Sequence, residues 1–151
     1  MKNKIITLTQ YLITRGILNP FKIQKLLFFL RYEEIKNNDE ENSFFAENYN
    51  FEAWKSGPVN PESYYFLDDI FFKQEEELEK FLLEDSNIIK TLDKKYGSCL
   101  EKWNLIEIND LIDKSQKNLS WISARKGIDE NDDLTAKKMD ERKKIFIEFV
   151  Q

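Results

Sequence analysis

The chain has 151 residues, a hydrophobic fraction of 41% and a charged fraction of 34%, the balance of one folded domain with a solvated surface. Its net charge of −5 argues against nucleic acid as a partner, since such binding rests first on cationic side chains. With no histidine and a single cysteine, Cys99, it has no Ser–His or Cys–His nucleophile pair, no internal disulfide and no cysteine-based zinc site. Carboxylate or lysine chemistry is left open. The start MKNKIITLTQYLITRG is too polar for a signal peptide, and no apolar run reaches membrane-spanning length, so the expected setting is the cytoplasm.

Ile5, Leu8 and Leu12 recur at helical spacing and predict a first helix over 4–15, stopped at Gly16. Asn19-Pro20 reads as an N-cap followed by Pro at the first helical position. The next helix carries Phe21, Ile23, Leu26, Leu27, Phe28, Phe29, Leu30 and Ile35 over most of its circumference, which places it at the centre. Residues 36–43 (KNNDEENS) predict a polar loop. Phe45, Tyr49, Phe51 and Ala53 alternate, so residues 44–54 predict a short strand or hairpin, interrupted at Glu47. Lys55-Ser56-Gly57-Pro58 then turns the chain, and Asn60-Pro61-Glu62 starts a helix to about Phe72.

Residues 74–84 are acidic and amphipathic and predict a short helix. Ser86 is expected to cap a helix through Tyr96, ended by Gly97. Leu105, Ile108, Leu111 and Ile112 mark the next helical face, and Leu119 to Lys126 a short helix ended by Gly127. After the acidic loop Asp129–Asp133, Thr135 is expected to cap a final helix carrying Met139, Ile145, Phe146 and Phe149. The expected architecture is a mainly α single domain over residues 1–151, of six to eight helices with a small β element.

Several residues are candidates for chemistry or contact. The acidic loop begins like a calcium loop, but Leu134 and Asp140 stand where an EF-hand needs Gly and Glu, so it reads as a solvated helix flank. Cys99 reads as a bystander or core thiol, with only lysines nearby in sequence. Lys22 and Lys25 flank Gln24 at the head of the central helix, and Lys25 is expected either to pair with Glu52 or to meet a partner. Trp54, beside the Gly57-Pro58 turn, fits either an interface anchor or a plug pinning the turn to the core. Trp121 reads as core packing, with Arg125 one turn further on able to stack or reach a partner's carboxylate.

Four stretches in order carry a resemblance. Lys22-Ile23-Gln24-Lys25-Leu26-Leu27-Phe28-Phe29 is similar to an L-Q-K-L-L-Y-Y helix, and Phe51-Glu52-Ala53-Trp54-Lys55-Ser56-Gly57-Pro58-Val59-Asn60-Pro61 to E-A-W-x-x-G-P-V-x-P. Tyr96-Gly97 resembles a Y-G pair, and Ser115-Gln116 with Trp121 and Ala124-Arg125 resembles [ST]-H-x-x-x-P-W-x-x-A-R. Together they resemble the Panacea (SocA-like, phage-associated) antitoxin family over about residues 20–126. Gln116 replaces the usual His, which removes a titratable group but keeps hydrogen bonding, and Ser120 replaces the usual Pro.

The resemblance implies an antitoxin that binds and neutralises a protein toxin encoded by an adjacent gene, with no enzymatic activity, cofactor or metal. Some relatives carry DNA-binding segments; the motifs here begin near residue 20 and the helical pattern runs on, leaving no room for one. Alternatives are an adaptor delivering the toxin to a protease, a phage-derived regulator of a host protein, and a small carboxylate- or lysine-dependent enzyme. The expected partner-contact or motif residues are Gln24, Lys25, Glu52, Trp54, Gly57, Pro58, Val59, Tyr64, Trp121 and Arg125, with an aromatic surface around Trp54, Pro58 and Tyr64.

Overall fold

The computed structural model describes residues 3–73 and 78–151. Helix α1 (Lys4–Thr14) is capped by the Asn3 side chain, which accepts from Ile6 N. Gly16, at φ +89°, takes the left-handed conformation that ends it. Helix α2 (Pro20–Lys36) starts at Pro20, with the Asn19 carboxamide accepting from Phe21 N and Lys22 N. As the apolar pattern requires, α2 is the central rod, touching α1, α3, α4, α5, α7 and the hairpin. Phe29 stacks on Trp103 at 4.1 Å, and Phe28 meets Phe51 and Phe146.

Several polar side chains of α2 are buried too, and each is tied to another element. Glu33 accepts from Lys102 Nζ and Trp103 Nε1, while Glu34 accepts from Ser43 Oγ and Tyr96 Oη. Arg31 donates to the carbonyls of Ala46 and Glu47. These bonds explain why residues 44–50 do not form the expected strand. Their main-chain groups are taken by side chains: Asn50 bonds both N and O of Ala46, and Glu141 accepts from Asn50 N and Phe51 N. Phe44 and Phe45 are buried side by side rather than alternating.

The β element is therefore shorter than expected. Strand β1 (Glu52–Trp54) turns at 55–56 and pairs antiparallel with β2 (Gly57–Val59), so Gly57-Pro58 lies in a strand rather than in the turn. Helix α3 (Pro61–Asp68), capped by Asn60, continues into a π-helical turn, Asp69–Lys73. Of the helix expected over 74–84, residues 74–77 lie outside the described residues, and Leu78–Phe81 forms a 3₁₀ turn.

Helix α4 (Ser86–Asn104), capped by Asp85, runs straight through Gly97. A glycine inside a helix costs only about 1 kcal/mol against Ala, and the buried face of Leu92, Tyr96, Leu100 and Trp103 spans it. Helices α5 (Ile108–Ser115) and α6 (Leu119–Arg125) follow as expected.

The helix expected from Thr135 does not form. The Asp132 carboxylate accepts from Leu134 N, Thr135 N and Thr135 Oγ1, so Thr135 is held in a turn and caps nothing. The chain instead adds β3 (Lys137–Lys138) to the free edge of β1, giving the order β2-β1-β3. Only Lys143–Phe146 becomes helical, as α7. The segment closes by pairing beside α6, with Leu119 N donating to Glu148 O and Val150 N to Lys117 O. One continuous core runs from Ile5 to Phe146, making a compact, mostly helical domain with a small three-stranded sheet. Among the described residues no helix is long and apolar enough to cross a membrane.

Candidate functional site

The hairpin gathers the residues singled out by sequence, and the chain's own atoms hold it from three sides. From α2, Gln24 Oε1 accepts from Asn60 N and its Nε2 donates to Ser63 Oγ, which fixes the start of α3. Lys25 Nζ donates to the Pro58 carbonyl at 2.9 Å. From the α5–α6 corner, Gln116 Nε2 donates to Lys55 O. From α6, Trp121 Nε1 donates to Trp54 O at 2.9 Å, and Arg125 donates to Ala53 O, Thr135 O and Asp132 O.

Three expectations are corrected by this geometry. Lys25 does not pair with Glu52: Glu52 and Trp54 alternate onto the same face of β1, where Glu52 Oε1 accepts from Trp54 Nε1, and Lys25 lies on the other side of the hairpin. Arg125 is spent on three main-chain carbonyls rather than offered to a partner's carboxylate. Pro58 and Val59 are buried inside the domain, so they cannot belong to an aromatic contact surface. Ser120, where the resemblance has Pro, donates to Asp140 O and thereby anchors the closing segment.

Lys25 has an unusual setting. It is 2% exposed with no carboxylate beside it, and burial alone pushes its ammonium down to about 7. Gly57 makes this packing possible. Its φ of +121° lies in the region that favours glycine, and a Cβ there would stand 2.8 Å from Ser115 Oγ and 3.2 Å from Lys25 Nζ. The amine is sealed behind the hairpin. Elsewhere, burial first and then the Glu33 charge raise the Cys99 thiol, the opposite of an activated thiolate. Among the described residues no group of three or more Cys, Asp or Glu gathers as metal ligands.

Beside the exposed turn residues Lys55 and Ser56, the hairpin and α3 together present aromatic rings at the surface. Trp54 packs against Tyr64 at 4.8 Å and lies 6.5 Å from Tyr65, and the two tyrosines are 5.4 Å apart. Trp54 and Tyr64 are half-buried, while Tyr65 is 61% exposed. The Trp54 carbonyl is pinned to Trp121, and its half-buried ring lies at the surface beside Tyr64. Sequence reasoning missed Tyr65, although adjacent aromatics on a helix as short as α3 cannot both face the core. In sequence Ser115 stands only as a motif residue; its hydroxyl becomes meaningful beside Gly57.

No protein-family model, curated protein or solved structure matches this chain.

Proposed function

We propose that this domain is an antitoxin-type binding module that neutralises a protein toxin by covering part of its surface. The observation that carries the reading is the Trp54–Tyr64–Tyr65 cluster, formed where the hairpin meets α3 and backed by hydrogen bonds from Lys25 and Trp121. Rigid aromatic side chains give large contact area at low entropic cost and dominate binding hot spots. The same hairpin comprises the stretch most similar to Panacea antitoxins, and the other motif residues, Gln24, Lys25, Trp121 and Arg125, support it from beneath. The absence of histidine and the sealing of Lys25 both favour binding over catalysis.

The test is co-expression with the product of the adjacent gene. The neighbour arrests growth alone and is silenced by this chain, and Tyr65→Ala weakens that protection without lowering the melting temperature. A neighbour that is harmless alone, or whose toxicity this chain leaves unchanged, refutes the proposal.

A further inference from the structure

Far from the hairpin in sequence, two corners of the bundle meet at one end. The α1–α2 corner presents Leu18 and Phe21, 51% and 55% exposed, and the α4–α5 corner presents Leu105, 84% exposed. Lys22 Nζ donates to Asn104 O at 3.0 Å and ties the corners together. Ile17 and Asn104 line one cleft of about 420 Å³, which continues between α1 and α4 past Tyr11, Leu100 and Gly97. Single exposed apolar residues need no explanation, but three that adjoin the cleft residues Ile17 and Asn104 and the Lys22 tether do.

Gly97 adds a second observation. It sits inside α4 at an ordinary helical φ, and a Cβ there would meet nothing closer than Tyr11 Oη at 3.8 Å. Packing would accept a larger residue, and a helix interior favours one. What the missing side chain leaves is an open cleft floor.

The charges around this end select the occupant. Glu101 lines the cleft, and Glu107 and Asp110 follow on the same corner; all three are exposed and none forms an ion pair among the described residues. Of the cations at this end, Arg15 is paired with Asp93 and half-buried Lys22 donates to Asn104 O, which leaves the three acids in excess. A second copy docked symmetrically would set these acids against themselves, and an anionic bilayer or nucleic acid would be repelled. We infer that this end of the bundle is a docking face for a basic amphipathic segment of a partner protein. Its apolar side would lie on Leu18, Phe21 and Leu105 and enter the cleft at Gly97, with its lysines or arginines on Glu101, Glu107 and Asp110. This is helix-in-groove recognition with charged selection. It stands independently of the antitoxin proposal, because it concerns a different surface and no particular toxin.

The probe is a synthetic amphipathic Leu/Lys helical peptide, with a Leu/Glu peptide of equal length as control, titrated against the full chain by fluorescence anisotropy. The Leu/Lys peptide binds in a salt-sensitive manner and the control does not. Binding weakens about tenfold or more in Phe21→Ser/Leu105→Ser, in Glu101→Lys/Glu107→Lys and in Gly97→Leu. Gly97→Leu keeps the parent's far-UV circular dichroism and cooperative melting, so its loss of binding is not a loss of fold. The inference is overturned if the Leu/Lys peptide does not bind, if these variants bind it as the parent does, or if Tyr65→Ala removes binding instead. It is equally overturned if sedimentation shows a dimer that Leu105→Ser dissociates.

Discussion

Replacing Lys25 with Met tests whether the central helix really carries an uncompensated amine. In the unfolded chain a lysine titrates near about 10.4, whereas in the fold burial holds this one at about 7. Below pH 7 both states carry the proton and the penalty is constant. Between about 7 and 10 the unfolded chain binds more protons than the native one, so this group makes stability rise with pH. At pH 7 the penalty is about 4 kcal/mol, from about 1.4 kcal/mol for each unit between the two values. Met removes it but leaves the Pro58 carbonyl without its donor, a cost of about 1–3 kcal/mol. Lys25→Met is therefore more stable than the parent at pH 7, by about 1–3 kcal/mol. Near pH 10 the order reverses, because the parent's neutral amine still donates to Pro58 and Met cannot. Urea unfolding of both proteins at pH 7, 8, 9 and 10 reads the crossing directly. A loss of about 3–5 kcal/mol at pH 7 that stays constant to pH 10 refutes the reasoning, since it is the mark of a cation held by a buried counter-charge.

Arg125→Ala should destabilise by about 2–4 kcal/mol in urea, because it strips the donor from Ala53 O, Thr135 O and Asp132 O at once. Gly57→Ala should cost more than about 2 kcal/mol, from backbone strain and the close Ser115 hydroxyl. Ser115→Ala in the same chain should restore part of that loss, and a double-mutant cycle showing no coupling would refute the packing account. Asp132 is held down to about 2, first by the Thr135 hydroxyl and then by the main-chain N–H groups of Thr135 and Leu134. Its contribution is present above the ordinary carboxylate range and is lost as pH falls through about 2. Asp132→Asn should therefore flatten the acid limb of the stability profile.

Where sequence and structure agree, the signal was local. Asn19-Pro20 and Asn60-Pro61 start helices because cap and Pro act within one turn, and the all-round apolar surface of α2 requires burial on every side. Where they differ, a distant side chain competes with the local signal. Gly97 looks like a stop until the face beneath it is seen to continue to Trp103, and Thr135 looks like a cap until Asp132 claims it. Residues 44–50 alternate like a strand, yet Asn50, Arg31 and Glu141 take their main-chain groups, and Glu141 comes from 90 residues further on. Around the hairpin, the packing role of Trp121 was legible in sequence, but not the bonding partners of Lys25 and Arg125. Lys25, Trp121 and Arg125 act as supports, because each carries a donor that reaches a hairpin carbonyl.

The pairing of Phe28 with Phe146 has a bearing on how the chain is born. Helix α2 is synthesised early, but the Phe146 and Phe149 rings that pack on this flank of it come near the end of the chain. Until those residues leave the ribosome, the nascent chain carries an uncovered aromatic flank. A message truncated before Met139 would release a product with that flank open to aggregation and proteolysis.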